Sequence, residues 1–290
     1  MLNETNLQGL FVPLITPFDT EERLDLESFG RYFSSLLQYD IQGIVLNGTT
    51  GESPTVAWEE VGTLYKAARA CLRPRRLPII VGCGTNCTAE SVRRSEAAGH
   101  WGADAVLAVT PYYSRPSEEG IIEHFRRIAS VGIPVVAYEV PSRTGVALSV
   151  ETMQRILDLD GVIGLKDASG GLALAAGLLP DCPKPILCGE DALLLDMLHL
   201  GAAGGMLASA NVETASFLKV CAQVSEGNTS HAVETFDRLL PLIRLLFRES
   251  NPAPLKWLLA RQGLLASGTL RCPMGPVSTA MQAELDAFLT

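Results

Sequence analysis

No stretch of this chain reaches the roughly 18 uninterrupted apolar residues that a membrane-spanning helix needs, and no block of lysine and arginine exceeds the short RPRR at 73 to 76. The first absence argues against a membrane protein. The second, with 23 basic against 32 acidic residues and a net charge of -9, removes the positive footprint that tracks a phosphate backbone, so nucleic acid is not an expected partner. No GxGxxG follows an early strand, which argues against a dinucleotide-binding domain. Around Cys83 and Cys87 no second cysteine pair or nearby histidine completes a tetrahedral set, so no metal is expected. Seven cysteines, an odd number scattered over 290 residues, make no disulfide framework. The four histidines are equally unhelpful for triad chemistry: His100 and His124 fall in helical patterns, His199 in LHLG and His231 near a helix start. The opening MLNETNLQGLFVPLITPF has no basic leader region and carries Pro13 and Pro17, which suits an early strand better than a signal peptide. The expectation is a soluble cytoplasmic protein.

What is present is a rhythm. At 47% hydrophobic the chain has ample material for a core. Short apolar, β-branched runs recur at 11 to 18, 43 to 49, 78 to 84, 105 to 113, 133 to 141, 162 to 169, 185 to 191 and 204 to 210. Helical patterns separate them at 26 to 38, 55 to 72, 88 to 102, 118 to 132 and 149 to 159, the last with Ser149 as N-cap. The final two intervals are short, and LALAAGLLP before Pro180 fits only a brief helix. Eight strands buried on both faces, alternating with helices, describe a (β/α)8 TIM barrel better than an open sheet. After about residue 211 only helical segments follow, so a C-terminal helical extension is expected: residues 1–225 as the barrel, 226–290 as the extension.

In such a barrel chemistry gathers at the carboxyl ends of the strands. There the sequence places Thr49 and Thr50 of NGTTGES, Tyr112 and Tyr113 of TPYYSRPS, and Tyr138, Glu139 and Arg143 of AYEVPSRTG, followed by Lys166 of VIGLKDAS and the CGED of strand seven. Each has an ordinary reading. Lys166 could lay its stem on apolar surface and send its charge to water; the threonines could cap a helix; the tyrosines could be rim or buried aromatics. Their collection at one rim favours chemistry instead. A lysine amine attacks a ketone to form a Schiff base when a neighbouring group moves protons onto and off the carbinolamine oxygen. Thr49, Tyr113 and Tyr138 could relay such protons, a Thr-Thr-Gly turn could hold a carboxylate on neutral donors, and Arg143 could fork onto a second one.

These motifs, with ITPFD near the start, NPAPLKW at 251 to 257 and LRCPMGP at 270 to 276, resemble the dihydrodipicolinate synthase and N-acetylneuraminate lyase superfamily over nearly the whole chain. VPSRT and TPYY with RPS are most similar to its 4-hydroxy-tetrahydrodipicolinate synthase branch. The resemblance implies a lyase that condenses pyruvate with L-aspartate-4-semialdehyde in the diaminopimelate and lysine pathway. It implies an imine between Lys166 and pyruvate with no added cofactor, and a proton relay of Tyr138, Thr49 and Tyr113, the last reaching into a neighbouring subunit of a homotetramer built as a dimer of dimers. Thr50 would hold the pyruvate carboxylate, Arg143 the carboxylate of the aldehyde, and the Met206 carbonyl would lie near the lysine. Of the family's lysine-inhibition pocket, Ser53, Asn86, Glu90 and Tyr112 match, whereas Trp58 and Val61 stand where sensitive relatives carry histidines; weak or absent inhibition is expected. One position departs from the branch, which has asparagine where this chain has Glu139. That carboxylate could pair with Arg143, favour the charged form of Lys166, or point into the helix layer and do neither. Two other functions stay open at this point: a sister aldolase or dehydratase acting on a sugar-derived 2-oxo acid or hydroxy-oxoglutarate, and a non-catalytic paralogue that binds a small acid.

Overall fold

The computed structural model describes residues 1–289. Eight strands form one parallel sheet that closes in sequence order: β1 (Gly9–Pro13), β2 (Gly43–Leu46), β3 (Ile79–Gly82), β4 (Ala105–Val109), β5 (Val135–Glu139), β6 (Val162–Asp167), β7 (Ile186–Cys188) and β8 (Gly204–Met206). With helices between the strands, this is a TIM barrel. Strand residues are almost uniformly buried, as expected where a parallel sheet is covered on both faces. Every expected strand is present but shorter. The first differs most, starting at Gly9 instead of residue 11, because it is defined by its pairing with β8 and not by its apolar run. Gly9 lies opposite Gly204, and a Cβ on Gly204 would stand 2.0 Å from the Gly9 carbonyl oxygen. Only glycine permits that approach, and Gly204 also holds a φ of 153°.

The helices follow their sequence signals. Leu26–Leu36 is capped by Asp25, whose side chain accepts from Ser28 N, and Glu118–Ala129 by Ser117. Ser149 caps Val150–Leu157 by accepting from Thr152 N, as expected. Ala173–Leu178 is the brief helix read before Pro180, while the seven-residue helix Leu194–Leu200 falls in an interval that gave no helical signal. Beyond β8 come helices Thr214–Ser225, Thr229–Leu246, Ala253–Arg261 and Thr279–Leu289. Pro241 sits inside the second of them.

The chain contains two compact units. One comprises Met1–Phe11 and Pro78–Leu207, and its core is made of β3 to β8 with the buried faces of their helices, including Ile121, Phe125, Ile128, Met153 and Ile156. The other comprises Val12–Leu77 and Ala208–Thr290. Its core includes Phe29, Phe33, Phe217, Phe236 and Leu242, and Tyr32 donates its buried hydroxyl to Asn211 Oδ1. Among the described residues no helix is long and apolar enough to cross a membrane.

Candidate active site

Lys166 is the penultimate residue of β6 and only 7% exposed. Its register partner on β5 is Tyr138, and its Nζ lies 4.2 Å from the centre of that ring. A cation over an aromatic face is held by the ring quadrupole, more strongly when water is excluded. The lysine stem is seated from the other side by β7: a Cβ on Gly189 would meet Lys166 Cε at 2.9 Å. Sequence reading gave the lysine its strand but not this glycine, whose signal was the G of CGED.

Because side chains alternate along a strand, the residues after Tyr138 and Lys166 face the opposite way. These are Glu139 and Asp167, also register partners and both buried. Glu139 Oε2 accepts from Thr110 Oγ1 at 2.6 Å and Oε1 from Leu148 N at 3.0 Å. Of the three alternatives for this carboxylate, the hydrogen bonds fit the last: among the described residues it forms no ion pair with Arg143 and its oxygens are taken by the layer behind the strand. Burial raises the carboxyl pKa of Glu139, partly opposed by the Thr110 and Leu148 bonds and reinforced by the charge of Asp167. Asp167 is raised by burial too, against the hydrogen bond from Ser169. Its Oδ1 accepts from Ser169 N at 2.9 Å, while its buried Oδ2 has no hydrogen-bond partner among the described residues.

Arg143 lies in the four-residue helix Pro141–Thr144 that follows β5, and its side chain is exposed. Glu190, two residues past the end of β7, went unnoticed in the sequence although it stands in the quoted CGED. Burial, with the neighbouring Asp191, raises its pKa, partly opposed by the positive charges of Lys166 and Arg143. Tyr112 is half-buried; Tyr113 is 89% exposed and holds a left-handed φ of 73°. Met206 closes β8 and is buried opposite Phe11.

The second unit carries the turn after β2. Thr49–Gly51 forms one 3-10 turn, and Glu52 follows with a φ of 56°. Thr50 is buried, and its Oγ1 accepts from Asn251 Nδ2 at 3.1 Å. Thr16 Oγ1 donates to the Gly51 carbonyl at 2.7 Å. Beneath the turn is a fully buried ion pair, Lys256 Nζ to Glu52 Oε1 at 2.6 Å; the ammonium also donates to the Thr269 carbonyl and lies 4.1 Å from the Phe18 ring centre. Burial lowers the Lys256 pKa to about 8, although Glu52 opposes the shift. Both ends of this pair stood in quoted motifs, GTTGES and NPAPLKW. Nothing in either motif marked them as partners 204 residues apart.

The residues matched to an inhibition pocket belong to both units. Ser53 belongs to the second, with Asn86, Glu90 and Tyr112 in the first. Glu90 accepts from Arg93 and Arg94, at 2.7 and 2.6 Å, and those bonds, Arg94 foremost, lower its pKa. Among the described residues no cluster of His, Cys, Asp and Glu is arranged to hold a metal ion.

The arrangement in the first unit, a shielded amine on an aromatic face with an arginine on the adjoining loop, suits imine chemistry on an acidic ketone. Comparison with known proteins agrees. The chain is 40% identical over 271 residues to the 4-hydroxy-tetrahydrodipicolinate synthase of Pseudomonas aeruginosa, with 92% of each chain covered. It is 39% identical over 281 residues to the enzyme of that name from Thiobacillus denitrificans, covering 96% of this chain and 94% of the relative. A solved structure of the chloride-inhibited dihydrodipicolinate synthase from Acinetobacter baumannii, complexed with pyruvate, superposes with a TM-score of 0.93 at 33% identity and 98% of both chains. The sequence model of the dihydrodipicolinate synthetase family matches residues 6–290, nearly the whole chain, and the chain belongs to this family.

Proposed function

We propose that this chain is a lyase that condenses pyruvate with L-aspartate-4-semialdehyde to 4-hydroxy-tetrahydrodipicolinate, a step toward diaminopimelate and lysine. The observation that carries the reading is the buried Lys166 Nζ against the Tyr138 ring at the end of β6. The Lys166 amine adds to the C2 carbonyl of pyruvate, and the carbinolamine hydroxyl leaves as water after a proton arrives from Tyr138. The imine then accepts the electron pair left when a proton is lost from C3. The resulting enamine carbon attacks the aldehyde, and the amino group of the second substrate displaces Lys166 as the ring closes. Since the imine is the electron sink, the reading needs no added cofactor.

Thr50 would hold the pyruvate carboxylate, with its hydroxyl oxygen already engaged by Asn251. Arg143 would receive the carboxylate of the aldehyde through its planar fork. Thr49 and Tyr113 would complete the relay with Tyr138, and the Met206 carbonyl would flank the lysine. The exposure of Tyr113 supports its donation to a neighbouring copy, in a homotetramer of two dimers. The arginine pair on Glu90 supports weak inhibition by lysine. A net charge of -9 suits a cytoplasmic enzyme that works without nucleic acid or membrane.

Borohydride reduction in the presence of pyruvate should add the reduced three-carbon acid to the peptide bearing Lys166, with no adduct in Lys166→Ala. An active preparation whose Lys166 peptide stays unmodified would refute the imine. A panel of aldehydes and 2-oxo acids on the same preparation, with and without lysine, tests the rest. Preference for a neutral polyol aldehyde would move the chain to a sister aldolase, pyruvate binding without any turnover would make it a binding protein, and strong lysine inhibition would overturn the pocket reading. The comparisons favour neither of those two alternative functions.

A further inference from the structure

We propose that Glu139 is a positioning residue for the second substrate: its buried carboxylate clasps the loop that presents Arg143. The inference rests on the reading of Arg143 as the aldehyde carboxylate's partner. The chain leaves β5 at Glu139 and returns at Leu148, whose amide donates to Glu139 Oε1 at 3.0 Å, so one side chain closes the whole excursion that carries Pro141–Thr144. Inside it the closure is local. Thr144 Oγ1 donates to the carbonyls of Val140 and Val146 at 3.2 and 3.0 Å. No other side chain among the described residues bonds the Leu148 amide, and with Leu148 buried an unpaired N–H there would be costly.

The second carboxylate oxygen extends the clasp to β4. Thr110, fully buried, donates its hydroxyl to Glu139 Oε2 at 2.6 Å and stands two residues before Tyr112. The two loops also meet at their tips: a Cβ on Gly145 would stand 3.2 Å from Arg115 Nε. An acid serves both donors at once, since an ionised carboxylate only accepts and offers two oxygens. Glutamine would keep one acceptor and present an amide N–H to the other donor. Glu139 therefore fixes where Arg143 stands without touching substrate, and Lys166, on the opposite face of its own strand, is outside its reach.

The test uses the full-length enzyme and both substrates. Glu139→Ala should raise KM for L-aspartate-4-semialdehyde about tenfold or more, since a small misplacement of a binding group is felt strongly. KM for pyruvate and the rate of borohydride trapping should stay within about twofold, with Glu139→Gln intermediate. Hydrogen exchange of the peptide spanning 140 to 149 should accelerate in the alanine variant while the peptide carrying Lys166 keeps its protection. An unchanged KM for the aldehyde in a folded Glu139→Ala would overturn the proposal, as would a parallel rise in both KM values with loss of trapping. If Glu139→Ala does not fold, Glu139→Gln decides by the same split between substrates. Should the wild-type enzyme not use aspartate semialdehyde at all, the functional reading falls, whereas the exchange experiment still tests the clasp.

Discussion

Lys166 Nζ stands 4.2 Å from the centre of the Tyr138 ring, and the two residues are register partners on adjacent strands. The ring of Tyr138 seats the amine, and on the proposed mechanism its hydroxyl would move protons, so the two contributions can be separated by substitution.

Tyr138→Phe should keep the ring and lose the acid. Imine trapping with pyruvate should slow but still reach completion, while kcat falls by about 10²–10⁴-fold, the usual contribution of a positioned proton-transfer group. Tyr138→Ala should impair trapping as well. Equal kcat in Tyr138→Phe and wild type, measured in steady state, would remove Tyr138 from the relay.

The absence of a side chain at Gly189 should matter to chemistry before stability. Gly189→Ala puts a methyl 2.9 Å from Lys166 Cε and 3.0 Å from both Ala168 Cβ and the Asp167 carbonyl oxygen. Overpacking of this kind costs about 1–3 kcal/mol. We expect a modest fall in melting temperature and a larger fall in trapping rate; a variant with unaltered trapping would show that the lysine stem has room to move.

If Tyr113 is donated to a second copy, two inactive variants should complement each other. Mixing Lys166→Ala with Tyr113→Phe under conditions that exchange subunits should restore activity to about a quarter of the sites, since half of random dimers are mixed and one of their two sites is intact. No recovery after demonstrated exchange would place Tyr113 in its own subunit's chemistry or outside it.

His124 should make the fold sensitive to acid. Its buried ring meets Thr88 Oγ1 at 2.9 Å through Nδ1, Nε2 has no hydrogen-bond partner among the described residues, and burial lowers its pKa from 6.5 to about 4. The unfolded chain takes up this proton first, so the contribution is intact above pH 6.5 and is lost as pH falls toward 4, by up to about 3 kcal/mol. Urea titrations between pH 7 and 4.5 should show a shallower loss in His124→Gln than in the wild type.

The pair of Lys256 and Glu52 should show a slope of the same sign in base. With the folded pKa of Lys256 at about 8 and its ordinary value at 10.5, the unfolded chain holds the extra proton between these limits. Stability from this group therefore rises with pH across that window. Lys256→Met strands Glu52 and should lose about 3–5 kcal/mol near neutrality, whereas Lys256→Met/Glu52→Gln should regain much of it. Unfolding curves at pH 7 and 9.5 check both statements: the gap between wild type and single variant should widen at the higher pH.

The eight strands and Ser149's cap were legible because apolar runs and capping residues are local signals. Lys166 was legible as an anomaly within one such run. Glu139 stood out as a residue, but its direction was not legible, for a physical reason: a parallel strand buried on both faces shows no alternation, so nothing in AYEVP tells which residue looks inward. Lys256 was hidden differently. On a helix, a lysine between apolar residues looks like a solvated position, and its acidic partner stands in another motif altogether. The short helix Leu194–Leu200 escaped because seven residues give too little periodicity to separate it from a turn.

The ties from Asn251 to Thr50 and from Lys256 to Glu52 give the C-terminal helices a part in the turn after β2. A shortened chain ending after β8 would still contain every strand, the lysine, both tyrosines and the arginine. It would nevertheless lose the Asn251 amide that bonds the Thr50 hydroxyl and leave Glu52 stranded beneath it. The tail thus shares in building the turn after β2, and trimming it should disturb Thr50 and Glu52 as directly as mutating them.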